Sequence, residues 1–154
     1  MILCKMQPGH IAGVKELLDS CFGDSAWSVE SIASQLDKPD SYCAVAVDED
    51  KVIGYIAFEA IVDEGSIVEL AVSPGYRRRG VGKKLVELML TSCSGVKTIC
   101  LEVRASNAGA IALYEAFDFV PITTRKNYYD DPREDAVIMI KKVSNENTCH
   151  RKQL

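Results

Sequence analysis

From position 68 the chain reads Val68-Glu69-Leu70-Ala71-Val72-Ser73-Pro74-Gly75-Tyr76-Arg77-Arg78-Arg79-Gly80-Val81-Gly82-Lys83-Lys84-Leu85, and no other stretch limits the possible folds as tightly. An apolar strand enters a Pro-Gly turn, passes through a basic loop punctuated by glycine, and continues as a helix with Leu85, Val86, Leu88, Met89 and Leu90 on its apolar positions. A helix N-terminus carries roughly half a positive charge and several backbone N–H groups without intrahelical partners. Glycine lets a backbone approach a guest closely, so Gly80 and Gly82 at that end make an anion cradle. Three arginines precede the cradle and two lysines follow it, in a chain whose net charge is −4.

Two familiar phosphate motifs do not fit. A nucleotide P-loop needs a glycine, four intervening residues and then Gly-Lys-Ser/Thr, and a dinucleotide fingerprint needs a third glycine where Leu85 stands. The spacing Arg77-x-x-Gly80-x-Gly82 instead resembles the Arg/Gln-x-x-Gly-x-Gly/Ala signature of the Gcn5-related N-acetyltransferase (GNAT) family. That resemblance implies that Arg77, Arg78, Arg79, Gly80, Val81 and Gly82 hold the pyrophosphate of acetyl-CoA. It also implies that Leu70, Ala71 and Val72 offer backbone hydrogen bonds to its acetyl and pantetheine groups. The alternative reading of the same residues is a solvated basic turn that opens a helix.

At 154 residues, with 47% apolar and 26% charged residues, the chain reads as one ordinary globular domain over 1–143 and a polar tail over 144–154. Its acidic balance argues against nucleic acid as a partner. The opening Met1 to Pro8 lacks the apolar core of a signal peptide, and no apolar run nears the ~18 residues a bilayer span requires. The expected location is the cytoplasm, with no membrane partner. Cysteines fall at 4, 21, 43, 93, 100 and 149 with no Cys-x-x-Cys pair, and the histidines are His10 and His150. These read as buried thiols rather than a disulfide framework, and no metal site is expected.

Taken in order, the chain opens with a strand from Ile2 to Met6. A helix begins at Pro8-Gly9, with Ile11, Val14, Leu17, Leu18 and Phe22 forming its apolar stripe. Ser28 is placed to cap a second helix bearing Val29, Ile32, Ala33 and Leu36. Trp27 ahead of it either staples the loop or walls a substrate entrance. Strands from Tyr42 to Val47 and from Val52 to Ile61 form a hairpin, and a turn at Asp63-Glu64-Gly65 leads into a strand from Ser66 to Val72. After the cradle helix come a strand from Lys97 to Arg104, a helix from about Asn107 to Ala116, and strands from Phe119 to Arg125 and from Ala136 to Val143. Lys126 to Asp135 reads as a polar connector. This order predicts an α/β (α+β) fold with a single mixed, mostly antiparallel sheet and helices on both faces. The family resemblance implies the GNAT-like acyl-CoA N-acyltransferase version of that fold.

On the strand from Lys97 to Arg104, alternation puts Ile99, Leu101 and Val103 on one face and Thr98, Cys100, Glu102 and Arg104 on the other. A carboxylate amid so apolar a strand either pairs with a cation such as Arg104 or serves as a general base. The run Leu101-Glu102-Val103-Arg104-x-x-Asn107, followed by Ala112-Leu113-Tyr114, resembles the second half of the GNAT family. Within it, the run is most similar to the bacterial enzymes that acetylate the N-terminal alanine of a small-subunit ribosomal protein. The resemblance implies Glu102 as the base that deprotonates the attacking amine, Tyr114 as the acid that protonates the CoA thiolate, and Asn107 as a cofactor contact. Asn107 and Tyr114, seven residues apart, would share one helix face.

These types suit the chemistry. An α-amine has a pKa near 8 and must lose a proton before it attacks, while a phenol near 10 keeps a proton to give to a thiolate. The family pattern places glycine where Asp118 stands, just past a helix end, a change expected to cost a little stability. Tyr128-Tyr129 is either an aromatic hairpin on the sheet or a lid over the peptide. Three functions follow: transfer of acetyl from acetyl-CoA to a protein N-terminus, transfer to a small amine or lysine, and acyl-CoA binding without catalysis. The presence of both Glu102 and Tyr114 weighs against the last.

Overall fold

The strands are β1 (Ile2–Lys5), β2 (Ser41–Asp48), β3 (Lys51–Ile61), β4 (Glu64–Val72), β5 (Thr98–Arg104), β6 (Val120–Asp130) and β7 (Arg133–Lys142). The helices are α1 (Ile11–Phe22), α2 (Val29–Asp37), α3 (Val81–Ser92) and α4 (Ala108–Ala116). This computed structural model describes residues 1–143; the polar tail expected over 144–154 lies outside the described residues. The strands form one seven-stranded mixed sheet in the order β1-β2-β3-β4-β5-β7-β6. β1–β2, β2–β3, β5–β7 and β6–β7 are antiparallel, and β4 runs parallel to β5, with Glu64, Gly65 and Ser66 opposite Thr98, Ile99 and Cys100. Among the described residues no helix is long and apolar enough to cross a membrane.

The described residues divide into two compact units, Met1–Glu59 with Ile67–Ser94, and Ala60–Ser66 with the described residues from Gly95 onward. In the first, the helical period of α1 puts Val14, Leu17 and Leu18 on one stripe, and Ile32 does the same for α2. They pack with Cys43, Val45, Tyr55, Ala57 and Ala71 of β2, β3 and β4. Phe22, expected in that stripe, is exposed at 41%. The alternate residues of the strands, including Ala44, Ala46 and Ile56, are also buried, and α3 buries Val81, Leu85, Val86 and Met89. The two sets meet at Gly54, where an added Cβ would lie 3.0 Å from both Leu85 Cδ1 and Val81 Cγ1. Each fully buried aliphatic side chain is worth about 1.5–3 kcal/mol, so this packing fixes the start of α3 firmly. Ser28 caps α2 as its position requires, its side chain accepting from the Ser31 N–H at 3.1 Å.

In the second unit, Ile99, Leu101 and Val103 of β5 are buried and Glu102 is exposed, as the alternation predicts. Two boundaries differ from expectation. The turn before β4 is Val62-Asp63, with Val62 at φ 59°, and Gly65 lies within the strand because Glu64 to Ser66 pair with β5. The connector over Lys126 to Asp135 is mostly strand, since β6 runs to Asp130 and β7 starts at Arg133. β6 is a sheet edge exposed along nearly its whole length, so it lacks the apolar alternation by which a strand is read.

Candidate active site

In the first unit, β4 leads directly into the basic loop. Leu70 and Val72 are half-buried and Ala71 is buried. The Val72 carbonyl is occupied: it accepts from Arg77 Nε at 3.1 Å and from Cys21 Sγ at 3.5 Å. Pro74 to Tyr76 make one 3-10 turn, and the Tyr76 hydroxyl donates to Asp48 Oδ2 at 2.8 Å, pinning the loop to the end of β2. That bond, the leading cause, holds the Tyr76 phenol above its ordinary pKa. The three arginines therefore differ. Arg77 ties the loop to β4 and α1, with Nη2 3.7 Å from Cys21 Sγ. Arg79 lies over the Tyr76 ring at 5.4 Å. Arg78 takes φ 63°, which turns the backbone sharply ahead of the helix.

Gly80 caps α3 at φ 80°, ψ 11°, a left-handed conformation that glycine takes without strain. No side chain caps this helix end, and beyond Gly80 and its chain neighbours no heavy atom lies within 4 Å of where a Cβ at Gly80 would sit. The first α-helical bond here runs from Lys84 N–H to the Gly80 carbonyl at 3.0 Å, so the N–H groups of Val81, Gly82 and Lys83 precede it and point out of the helix end. Gly82 itself is helical, so positive φ is required at Gly80 and not at Gly82.

In the second unit, the Tyr128 hydroxyl donates to Glu102 Oε2 at 3.2 Å. Glu102 is thus held by a phenol, and Arg104, its expected cationic partner, is used elsewhere. Arg104 Nη1 reaches the Pro132 carbonyl at 2.9 Å and Glu134 Oε1 at 3.3 Å, and Nη2 reaches the Asp131 carbonyl at 3.3 Å. Glu134 Oε2 accepts the Ser106 N–H at 2.8 Å, and its carboxyl is held below the usual range first by the Ser106 side chain, then by that N–H and by Arg104. Asn107, expected to open the helix that carries Tyr114, lies one residue ahead of its first helical residue. It is the N-cap of α4, its Oδ1 accepting from the Ala110 N–H at 3.1 Å, which leaves the side-chain amide nitrogen for other contacts.

Tyr114 is buried at 6% exposure near the end of α4. The helix closes around it: Asp118 at φ 68° donates its N–H to the Glu115 carbonyl, and the Phe119 N–H reaches the Tyr114 carbonyl at 3.1 Å. This is a Schellman closure, completed by edge contact of the Phe119 and Tyr114 rings with centroids 5.7 Å apart. It is formed with aspartate where the family pattern has glycine.

Two features were not singled out from the sequence. Glu69, half-buried on β4 beside Ala71, has its carboxyl pushed up to about 7 by burial, against a smaller opposing pull from the Leu70 N–H. It lies on the sheet face of Tyr55, whose phenol is also held up, chiefly by burial and then by Cys43 and Glu69. An acidic residue between Val68 and Leu70 in an apolar strand was the available signal. Gln35 is buried at 4%, its Nε2 donating to Ser41 Oγ at 3.2 Å. With Trp27, Glu30, Ser31, Ser34 and Lys38 it lines an open groove of about 440 Å³, and Trp27 also packs against the core. Of the cysteines expected to be buried, Cys43 is, while Cys4, Cys21, Cys93 and Cys100 are half-buried free thiols and Cys149 lies outside the described residues. Among the described residues no cluster of His, Cys, Asp or Glu could hold a metal ion.

Comparison with known proteins places these motifs in context. A profile of the acetyltransferase (GNAT) family matches residues 11–119, a span that includes the cradle, Glu102, Asn107 and Tyr114. The chain is 39% identical over 123 residues, 77% of its length and 82% of the relative's, to the [ribosomal protein bS18]-alanine N-acetyltransferase of Escherichia coli strain K12. The crystal structure of the ribosomal-protein-S18-alanine N-acetyltransferase from Escherichia coli superposes with a TM-score of 0.83 at 32% identity, covering 95% of this chain and 97% of that one. Ard1 from Thermoplasma volcanium superposes with a TM-score of 0.84 at 25% identity, covering 94% and 98%.

Proposed function

We propose that this chain, which belongs to the acetyltransferase (GNAT) family, transfers the acetyl group of acetyl-CoA to the N-terminal α-amine of a protein, with N-terminal alanine of a small-subunit ribosomal protein as the favoured acceptor. The observation that carries the acceptor class is the 39% identity to the bS18-alanine enzyme across 82% of that enzyme's length.

The cradle fits the co-substrate. Gly80 leaves open space at its Cα, three N–H groups face out at the start of α3, and Arg78, Arg79, Lys83 and Lys84 supply positive charge. Arg77 to Gly82 would hold the diphosphate, and the N–H groups along Leu70 to Val72 would hold the pantetheine arm and the acyl oxygen. Acetyl-CoA brings an acyl group already activated by its thiol leaving group. Backbone N–H groups of β4 stabilise the negative charge that develops on the acyl oxygen. Glu102 accepts a proton from the acceptor's ammonium group, directly or through water, and so frees the amine lone pair. Tyr114, oriented by the closure at Asp118, gives its proton to the leaving sulfur. Asn107 contributes its remaining side-chain amide to the cofactor.

Glu102→Gln and Tyr114→Phe are each expected to lower turnover at saturating acetyl-CoA by ~10²–10⁴-fold, the usual contribution of general acid–base catalysis. Acetyl-CoA binding, measured by calorimetry, should remain close to that of the parent. Parent-level turnover in both variants would remove these roles.

A further inference from the structure

We propose that Tyr128 is a positioning residue for Glu102, fixing one carboxylate oxygen so that the other faces the acceptor amine. The inference rests on the reading of Glu102 as the base. The two residues are 26 positions apart, and β6 does not neighbour β5 in the sheet, so the contact is made by the hairpin end of β6 and not by strand pairing. The backbone is shaped for it. Between Arg125, opposite Ala136, and Tyr129, opposite Glu134, β6 carries more residues than β7, and Asn127 takes φ 54° with its N–H donating to Asp135 Oδ1 at 2.8 Å. Such a bulge re-aims a side chain out of the strand's alternation. Here the re-aimed side chain is Tyr128, whose hydroxyl meets Glu102 Oε2 at 3.2 Å.

The ring is also braced. Tyr128 stands edge-on to Tyr129 with centroids 5.0 Å apart, and the Arg104 guanidinium lies 4.3 Å from the Tyr129 ring centroid. Arg104 is in turn held by the hairpin carbonyls of Asp131 and Pro132 and by Glu134. A phenol donating to Oε2 leaves Oε1 to take the ammonium proton, and the proton does not pass through Tyr128. An exposed glutamate without such a partner would sample several rotamers, and only some would place its oxygen at the reacting nitrogen.

The test is a double-mutant cycle on the full chain with acetyl-CoA and an alanine-terminated peptide. Tyr128→Phe keeps the ring contacts and removes the hydroxyl. It should lower kcat by roughly tenfold, leave KM for both substrates and the melting temperature unchanged, and cause no further loss when added to Glu102→Gln. Parent-level kcat in Tyr128→Phe, beside an impaired Glu102→Gln, overturns this inference alone. A rise in peptide KM with kcat unchanged, or losses that multiply in the double variant, also overturns it, because Tyr128 then acts on the peptide or on stability. Parent-level kcat in Glu102→Gln overturns the base assignment and the inference with it.

Discussion

Asp118 occupies a left-handed conformation, φ 68°, that L-residues adopt at a cost of roughly 1–2 kcal/mol, less for aspartate than for most. Asp118→Gly is therefore expected to stabilise the fold by up to about 1 kcal/mol, raising the melting temperature by roughly 2–4 °C, with turnover preserved because the closure around Tyr114 is kept. Glu69 gives a pH signature of the opposite kind. Its carboxyl is raised from an ordinary value near 4.5 to about 7 in the folded chain, so the folded state holds the proton more tightly than the unfolded one. The associated stability is complete below about 4.5 and is lost as the pH rises through about 7. Glu69→Gln should thus be more stable than the parent at pH 8, by no more than about 3–4 kcal/mol, and melt higher, with the gap closing toward pH 4.5. Equal melting curves for the two proteins at pH 8 would show that Glu69 is not destabilised by burial. At this scale the sequence speaks for residues that break a local pattern: Glu102 on an apolar strand, and Asp118 past a helix end. It does not speak for Tyr128 on Glu102 or Arg104 on the hairpin carbonyls, because those contacts depend on where a bulge turns the chain.

At the scale of elements, α1, α2 and β5 are legible because each buries one face against a neighbour and burial imposes a period, while β2 and β3, buried on both faces, read as continuous apolar runs. The stripe of α1, the Ser28 cap and the alternation of β5 all follow that rule. β6 escapes it as an exposed edge, and Asn107 escapes it because an N-cap and a first helical residue look alike in sequence. The contact of α3 with β3 shows how an element outside the site sets its geometry. Gly54 admits α3 so closely that Gly54→Ala would press on Leu85 and Val81, and Val81 follows the Gly80 cap directly. The expected result is a loss of about 1–3 kcal/mol in stability, typical of overpacking, together with weaker acetyl-CoA binding. Parent-like thermal melting and calorimetry would contradict this coupling of the sheet to the cradle.

The whole molecule divides into two compact units. One carries the positively charged helix start on a chain of net charge −4, and the other carries Glu102, Tyr114 and the hairpin that holds Glu102. The family match over residues 11–119 covers the cradle, Glu102 and Tyr114, whereas the whole of β6, with Tyr128, and of β7 lies beyond it. That is why the reaction was readable from motifs and the contact of Tyr128 with Glu102 was not. The most direct measurement incubates the purified chain with acetyl-CoA and a peptide that begins with alanine and contains an internal lysine, then maps the product by tandem mass spectrometry. The account predicts a single acetyl group on the alanine α-amine, formed much more slowly by Glu102→Gln. Acetyl found only on the lysine, or no transfer despite measured acetyl-CoA binding, would contradict it.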